Sequence, residues 1–389
     1  MSALTERTRD LMEQLVGFDT TSRESNLDLI HFVRDYLSGH GVESTLVQDK
    51  TEPKANLYAM IGPTDRPGIM LSGHTDVVPV DGQEWHSDPF RMTEKDGRLY
   101  GRGTCDMKGF IAIALAHVPE FLRRGLETPI HLALSYDEEI GCLGVRHLID
   151  LINRLPIRPR MAIIGEPTEM QVIVAHKGKT DVNVHVRGFE CHSALAPQGV
   201  NAVQYAAELI GHISGMARRV AAEGPFDDEF DVAHSTLHTG LIQGGTALNI
   251  VPKDCHFEFE IRNLPDHDPQ PLLDEIYRFA AEELEPRMQA VHPGTGFSFD
   301  QGVQYPGLDM RPDDEAVTLA KALAGQNSHA KVAFGTEGGL FQQDAQIPCV
   351  ICGPGSISQA HKPDEYLSLE QLAAGEAFMT RLADRVCAT

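Results

Sequence analysis

Apolar residues recur at helical spacing between residues 4 and 40 of the 389-residue chain, and this pattern predicts helices that bury one face. Small polar residues at 18–22 interrupt the pattern, so we expect two helices separated by a turn. Shorter apolar runs of strand length then alternate with helical segments, which favours an α/β domain with a largely parallel sheet. The predicted elements are strands at 42–47, 56–61, 68–72, 130–135 and 161–164 and a helix at 110–122.

The hydrophobic pattern changes between residues 180 and 303. It predicts a half-exposed strand at 180–187, a helix at 201–222, strands at 235–242 and 250–262, a helix at 271–284 and a strand at 296–303. This β-α-β-β-α-β order is that of a ferredoxin-like α+β unit. We therefore expect a larger α/β domain formed by residues 1–179 and 304–389, with the unit at 180–303 inserted into it, where it could serve as a lid, a dimerisation surface, or both.

The α/β pattern resumes near the C-terminus. It predicts a helix at 313–323, a strand at 331–334, a loop at 335–339, a strand at 348–352 and a terminal helix at 368–385. The loop that follows the last strand contains His361.

Histidine and carboxylate residues follow the ends of several predicted strands. Because ligands gather at the carboxyl ends of strands in open α/β sheets, we expect these side chains to face one crevice. Each has a plain alternative when taken singly: a polar turn, a helix cap or a solvated acidic loop. The residues in question are His74, Asp106, Glu138, Glu139, Glu166 and His361.

This set of donors suits two zinc ions better than one. A single zinc ion with five protein ligands would be crowded, because catalytic zinc takes about three protein ligands and a water. If Asp106 bridges, one ion binds His74 and Glu166, and the other binds Glu139 and His361. Cobalt or manganese could take the place of zinc. Such an arrangement leaves room for a shared water.

Three further residues have roles beside the ligands. Asp76 lies two positions after His74 and could hold one ring nitrogen so that the other faces the metal. Glu138 is left free and could act as the general base that takes a proton from water and returns it to the leaving amine. His192, in the inserted unit, is a candidate donor to the oxyanion, with an exposed loop histidine as its alternative.

Net charge and composition indicate which partners, which cellular location and which state of the cysteines to expect. The net charge of −23 argues against nucleic acid and against anionic membranes as partners. The N-terminal residues show no secretory signal, and no apolar run is long enough for a membrane span, so we expect a cytoplasmic protein. Seven scattered cysteines indicate reduced thiols rather than a disulfide framework.

Other chemistries and a non-enzymatic function explain the sequence less well. The chain has no Gly-x-Ser-x-Gly motif, and the Gly-x-Gly at 101–103 lacks the spacing of a phosphate loop. A cysteine nucleophile at Cys105 or Cys142, paired with His74, would leave the acidic residues unexplained. A metal-free binding protein is disfavoured because no ligand or base position is missing.

The chain resembles the co-catalytic zinc amidohydrolases and metallopeptidases, a family that includes acetylornithine deacetylase, succinyl-diaminopimelate desuccinylase, aminoacylase and the glutamate-releasing carboxypeptidases. The matching motifs run in the family's order and span nearly the whole chain. They are Ser-Gly-His-Thr-Asp at 72–76, Gly-Arg-Gly-Thr-Cys-Asp-Met-Lys-Gly at 101–109, Asp-Glu-Glu-Ile-Gly at 137–141, Gly-Glu-Pro at 165–167 and Gln-Ala-His-Lys-Pro-Asp-Glu-Tyr at 359–366.

The resemblance implies a fold and further roles. The fold would be a zinc-peptidase-like three-layer catalytic domain with an inserted ferredoxin-like unit that forms a homodimer. The five ligands would bind the two ions, Asp76 would orient His74 and Glu138 would be the base. His192 would reach the active site of the partner. Asn249 and Arg262 match positions that hold the substrate carboxylate, and the loop with Gly335 and Gly338 matches one that contacts substrate.

The loops at 353–366 and 243–252 are most similar to those of acetylornithine deacetylase. This implies hydrolysis of N-acetyl-ornithine to ornithine and acetate, a step of arginine biosynthesis. Desuccinylation, peptide cleavage and other N-acyl amino acid substrates stay open.

Overall fold

The computed structural model describes residues 3–388 and divides them into two compact units. The first unit is formed by residues 3–175, 308–331 and 336–388, and the second by residues 176–307 and 332–335. The predicted domain ends at residues 1 and 389 lie outside the described residues. The domain boundaries that the sequence predicts at residues 180 and 303 stay a prediction.

In chain order, the helices are α1 Ala3–Val16, α2 Leu27–Gly39, α3 Lys108–Arg124, α4 Val145–Ile152, α5 Ala202–Glu223, α6 Gln270–Phe279, α7 Glu285–Gln289, α8 Glu315–Ala324, α9 Gly338–Asp344 and α10 Leu369–Val386. A 3₁₀ helix spans Ser193–Gln198, and a π-helical segment at Ala280–Leu284 joins α6 to α7. No helix among residues 3–388 is long and apolar enough to cross a membrane.

The strands belong to three sheets. They are β1 Ser44–Gln48, β2 Ala55–Ile61, β3 Ile69–His74, β4 Thr93–Lys95, β5 Arg98–Tyr100, β6 Ile130–Ser135, β7 Met161–Pro167, β8 Ile173–His176, β9 Gly178–Arg187, β10 Thr236–Gly244, β11 Asp254–Asn263, β12 Gly296–Tyr305, β13 Leu308–Asp309, β14 Ala330–Val332, β15 Cys349–Gly353 and β16 Tyr366–Ser368.

The large sheet of the first unit has the order β1-β2-β6-β3-β7-β15-β8-β13. Strands β6, β3, β7 and β15 run parallel to one another, with Ile69 opposite Ile130 and Met161. The strands β3, β6 and β7 are buried on both faces, which is why they read as continuous apolar runs. The predicted α/β class is confirmed, although the flanking strands β1, β2 and β8 pair antiparallel.

Helix α3 forms the centre of the packing on this sheet. Its buried residues contact β3 and β7, and both α1 and α10 pack against it. Because apolar residues surround nearly its full circumference, α3 lies between the sheet and other helices. Its first turn follows directly after Asp106 and Met107, so the core fixes where that carboxylate lies.

The second unit contains a four-stranded antiparallel sheet with the order β10-β11-β9-β12. Val182, Val184 and Val186 alternate along β9 with exposed or partly exposed residues and form a core with α5 and α6. The chain order β9-α5-β10-β11-α6-β12 is the predicted ferredoxin-like arrangement.

Several short elements differ from the prediction. Strands β4, β5 and β16 form a small sheet that the apolar pattern did not indicate, because most residues of β4 and β5 are exposed or half-buried. The predicted strand at 250–262 begins only at Asp254, after Pro252. The predicted helix at 271–284 becomes π-helical at Ala280, and the predicted loop at 335–339 ends in helix α9, which begins at Gly338.

Candidate active site

The five residues predicted as metal ligands lie together in the first unit. His74 ends β3, Glu166 lies near the end of β7, and Glu139 is in the loop after β6. Asp106 lies just before α3, and His361 is in the loop after β15. Strands β6, β3, β7 and β15 are parallel neighbours, so their carboxyl ends meet at one edge of the sheet.

The carboxylate of Asp106 lies between the two histidines. Its Oδ1 is 3.0 Å from Nε2 of His74, and its Oδ2 is 3.3 Å from Nε2 of His361. Glu166 Oε1 is 3.8 Å from His74 Nε2, and Glu139 Oε2 is 3.0 Å from His361 Nε2. The donors thus form two halves that share Asp106: the His74 half-site with Glu166 and the His361 half-site with Glu139.

The two halves differ in solvent exposure. The side chain of His74 is 1% exposed, whereas that of His361 is 50% exposed. His361 has a φ of +62°, a left-handed conformation that its loop imposes on a residue other than glycine. The His361 half-site therefore depends on the packing of a loop, while the His74 half-site is built into the sheet.

Burial and neighbouring charges shift the pKa values of these residues. Burial opposes ionisation of Asp106, yet hydrogen bonds from His361 and His74 hold its pKa below the usual range. Burial and the charge of Asp106 raise the pKa of Glu139 to about 7. Burial and neighbouring carboxylates raise the pKa values of Glu138 and Glu166 well above the ordinary value.

These donors fit a divalent metal centre. Ligand atoms of His74, Asp106 and Glu139 all lie within 4.8 Å of one another. Imidazole nitrogens and carboxylate oxygens are the donors that catalytic zinc uses, and the acids repel one another unless a cation is present. The raised pKa values of these glutamates reflect burial first and repulsion between the acids second, and a bound cation would relieve the repulsion.

Asp76 contacts both the histidine and the acidic loop. Its backbone oxygen is 2.9 Å from Nδ1 of His74, and its carboxylate Oδ1 is 3.6 Å from the same nitrogen. The carboxylate also accepts hydrogen bonds from the backbone amides of Glu138 and Glu139, at 3.1 and 3.2 Å, and from Ser22. One buried aspartate therefore holds both the predicted ligand His74 and the segment that carries the predicted base.

A buried ion pair that the sequence pattern did not reveal anchors the same loop. Lys54 Nζ donates to both carboxylate oxygens of Asp137 at 2.9 Å, and both side chains are buried. Asp137 is one of three consecutive acids in the sequence, but the lysine is 83 residues away in the chain. Glu138 itself is partly buried and follows Asp137 directly.

Three of the candidate substrate residues lie in the second unit with His192. His192 is exposed and caps the 3₁₀ helix through Nδ1, which accepts from the amide of Ala194 at 3.1 Å. Asn249 lies beside the residue that follows His192, because the carbonyl of Asn249 accepts a hydrogen bond from the amide of Ser193. These two predicted residues are thus neighbours in the fold of this unit.

Arg262 and Gly335 converge on one tyrosine. Arg262 Nη1 donates to the hydroxyl of Tyr305 at 2.9 Å, and a Cβ at Gly335 would lie 2.1 Å from the ring of Tyr305. Only glycine fits that close approach. Gly338 lies in the first unit as the first residue of α9. It follows Glu337, a buried acid of the predicted substrate loop for which the sequence predicted no role of its own, and burial raises the pKa of Glu337 to about 7.

The cysteines do not resemble activated nucleophiles. Within the described residues all seven are free thiols. Burial raises the pKa of Cys105 and of Cys142 well above the ordinary value, and nearby carboxylates raise both further. A reactive cysteine needs the opposite shift.

Comparison with known proteins identifies a matching family model and similar sequences. The model of peptidase family M20/M25/M40 matches residues 70–385. An acetylornithine deacetylase from Pasteurella multocida (strain Pm70) is 33% identical over 370 residues, covering 94% of this chain and 92% of that protein. An acetylornithine deacetylase from Proteus mirabilis (strain HI4320) is 34% identical over 371 residues, covering 95% and 92%.

Solved structures share the fold. An M20 family metallo-carboxypeptidase from Sulfolobus solfataricus superposes with a TM-score of 0.77 at 18% identity, over 98% of this chain and 99% of that one. A dinuclear metal-binding peptidase of family M20 from Bacillus subtilis superposes with a TM-score of 0.67 at 16% identity, over 98% of each chain.

Proposed function

Because the chain belongs to peptidase family M20/M25/M40, we propose that it hydrolyses the amide bond of an N-acyl amino acid, with N-acetyl-ornithine as the first candidate substrate. Metal-dependent amide hydrolysis follows from the family and from relatives that are acetylornithine deacetylases at 33% and 34% identity. The observation that carries the proposal is the position of Asp106, with one carboxylate oxygen toward each histidine.

We propose two divalent metal ions as cofactors, zinc first, with cobalt or manganese able to replace it. His74, Glu166 and Asp106 would hold one ion, and His361, Glu139 and Asp106 the other. When bound, the ions would make water more acidic and polarise the amide carbonyl. The support is the division of donors into two halves, together with the dinuclear metal-binding relative of the same fold.

Glu138 is the proposed general base. It is the carboxylate of the acidic loop that is left over when Glu139 binds a metal ion, and Asp76 holds its backbone amide. Burial and the surrounding acids raise its pKa well above the ordinary value, which makes its carboxylate a stronger base toward water. The carboxylic acid formed when it takes that proton can then pass the proton to the leaving amine nitrogen. Asp76 would orient His74 at the same time.

The second unit would supply substrate contacts. We propose His192 as a donor to the oxyanion, and Asn249 and Arg262 as the groups that hold the substrate carboxylate. Gly335 and Gly338 would line the substrate at the start of α9. The support is local: His192 lies beside the Asn249 segment, and Arg262 is fixed by Tyr305 beside Gly335.

A homodimer formed through the second unit is also proposed. Strand β10 is at the edge of its sheet, and its exposed residues include Leu241 and Ile242, at 46% and 52%. An edge strand with exposed apolar residues is a surface on which another chain can pair. A cytoplasmic location stays a prediction, as does the absence of nucleic-acid and membrane partners.

A comparison of substrates tests the proposal directly. Hydrolysis rates of N-acetyl-ornithine, N-succinyl-diaminopimelate and N-acetyl-methionine would be measured at a defined concentration of zinc or cobalt. We expect N-acetyl-ornithine to have the highest kcat/KM and chelation to abolish hydrolysis of all three. A higher kcat/KM for the succinyl substrate would make the protein a desuccinylase, and hydrolysis that survives complete metal removal would refute the proposed chemistry.

A further inference from the structure

We propose that Glu365 and Arg102 form a buried network that positions Asp106 and His361 for metal binding, with Gln83 as the link to His361. These are positioning residues, since they contact the backbone of the ligand-bearing loops. The inference rests on the proposed two-metal function and adds the residues that set the geometry of its shared and exposed ligands.

The carboxylate of Glu365 organises the backbone that leads to Asp106. Its Oε1 accepts hydrogen bonds from the amides of Cys105 and Asp106, at 2.9 and 3.0 Å. Its Oε2 accepts from the amide of Gly103 at 3.1 Å and from Arg102 Nη1 at 2.7 Å. One carboxylate thus fixes three backbone amides of the loop, and ionised acceptors make stronger bonds than neutral ones.

Arg102 extends the network to the other loop. Its Nη2 donates to Oε1 of Gln83 at 2.6 Å, and the side-chain amide of Gln83 donates to the carbonyl of His361 at 3.0 Å. Its Nη1 is also 3.4 Å from the carbonyl of Lys362. The ring of Trp85 lies against the guanidinium, 5.1 Å from its carbon. The backbone of His361 is therefore tied to the same ion pair as the backbone of Asp106.

The small sheet explains how two distant segments form this pair. Strand β16 pairs with β5, so Tyr366 lies opposite Tyr100. Glu365 directly precedes β16, and Arg102 follows β5 by two residues. Both side chains are 1% exposed. Charges buried to this degree are costly unless paired, so loss of either partner would leave an uncompensated charge beside the loop.

The network contacts the His361 half-site more directly than the His74 half-site. His74 and Glu166 are carried by β3 and β7 in the core of the large sheet. His361 is half exposed on a loop, and the hydrogen bond from Gln83 is one of the contacts that hold its backbone. Loss of that contact should loosen the His361 half-site and leave the His74 half-site in place.

The test is the pair of metal dissociation constants, measured by chelator competition for the full-length protein and its variants. Gln83→Ala removes the link to His361 and the acceptor for Arg102 Nη2, but it keeps both partners of the Arg102–Glu365 ion pair. Glu84→Ala, an exposed neighbour, is the matched control. Glu365→Gln keeps an acceptor for the backbone but removes the charge that faces Arg102. Thermal unfolding of the metal-free proteins is recorded in parallel.

We expect Gln83→Ala to weaken one of the two constants by about 10-fold and to leave the other within about twofold, since residues that orient ligands contribute about 10- to 100-fold in affinity. Glu365→Gln should weaken both constants, because Asp106 belongs to both half-sites. Glu84→Ala should match the wild type. The metal-free Gln83→Ala protein should unfold at the wild-type temperature.

Unchanged constants in Gln83→Ala and Glu365→Gln would overturn the positioning role while leaving the proposed function intact. Equal weakening of both constants in Gln83→Ala, together with a lower unfolding temperature, would also overturn it, because the network would then act through general stability. A wild-type protein that binds no divalent metal would instead refute the proposed function.

Discussion

Asp106 and His74 illustrate how single residues define the candidate site. The contacts of His74 and His361 with Asp106 bring two imidazole rings to an acid whose ionisation burial opposes. Burial opposes the charged form of His74, yet hydrogen bonds to Asp106 and Asp76 raise its pKa well above the ordinary value.

A buried histidine away from the site makes stability depend on pH. His131 contacts the hydroxyl of Tyr58 at 2.5 Å, and burial lowers its pKa from 6.5 to about 4. Above pH about 6.5 the imidazole of His131 is neutral in both the folded and the unfolded chain, so its contribution to the free energy of unfolding is fully present. Between pH about 6.5 and 4 only the unfolded chain takes up the proton, and stability falls by about 1.4 kcal/mol per pH unit from this group.

Urea unfolding of the wild type and of His131→Gln between pH 7.5 and 5 checks this prediction. The variant should be less stable at pH 7.5 but should lose less stability on acidification than the wild type. Equal slopes of unfolding free energy against pH would contradict the argument. The comparison of slopes cancels the contributions of other groups, including Asp137, whose pKa burial raises to about 6.

The sequence could predict which residues approach one another when each lies at the end of an apolar run. His74 and Glu166 end buried strands, so their meeting follows from the order of parallel strands alone. Arg102 and Glu365 could not be paired in the same way, because their contact depends on the register of a small, mostly exposed sheet. In the sequence, Arg102 and Glu365 stand out only as charged residues within the motifs at 101–109 and 359–366.

At the level of elements, the ends of the central strands are packed without spare room. A Cβ at Gly165 would lie 2.0 Å from the ring of Phe110 on α3, and a Cβ at Gly353 would lie 2.1 Å from the carbonyl of Gly165. Glycine at these positions lets β7 and β15 approach each other and α3. The position of Glu166, one residue after Gly165, depends on that approach.

Gly165→Ala should therefore displace the end of β7 and destabilise the protein by about 1–3 kcal/mol, the usual range for overpacking a core. It should also weaken metal binding in the His74 half-site. Gly39→Ala is the matched control, since a Cβ there meets nothing within 4 Å. Wild-type unfolding temperature and metal content in Gly165→Ala would show that the strand end has more freedom than the packing indicates.

Long buried elements were predictable, and short exposed ones were not. Strands β3 and β6 and helix α3 are marked by apolar runs or periodicity. The three-residue strands β4 and β5 bury mainly Leu99, so no period of apolar residues marks them. They matter because the small sheet brings Glu365 to Arg102.

At the scale of the whole molecule, the chain leaves one compact unit at residue 175 and returns to it at residue 308. The ferredoxin-like order was visible in the sequence because its strands alternate and its helices are amphipathic. The hydrophobic pattern of the sequence could not predict whether a second copy of the chain binds to this unit. The exposed apolar residues of β10 would suit more than one kind of partner.

The proposed dimer gives a prediction at this scale. Light scattering should give the wild type about twice the chain mass of 42.7 kDa. Ile242→Glu should give a monomer, because a charge on an apolar edge strand opposes pairing. His238→Ala, an exposed change on the same strand that adds no charge, should stay dimeric. A monomeric wild type would remove the basis for this surface, and a dimeric Ile242→Glu would place the interface elsewhere.

Metal content and turnover of Glu138→Gln, measured with the best of the three substrates, decide whether Glu138 acts as the base or as a metal ligand. We expect the Glu138→Gln variant to bind two divalent ions, as the wild type should, because Glu138 is not one of the proposed ligands. We also expect kcat to fall by at least about 10²-fold, because general-base catalysis contributes about 10²- to 10⁴-fold. Retained turnover with two bound ions would show that Glu138 is not the base, and a loss of metal would show that it is a ligand.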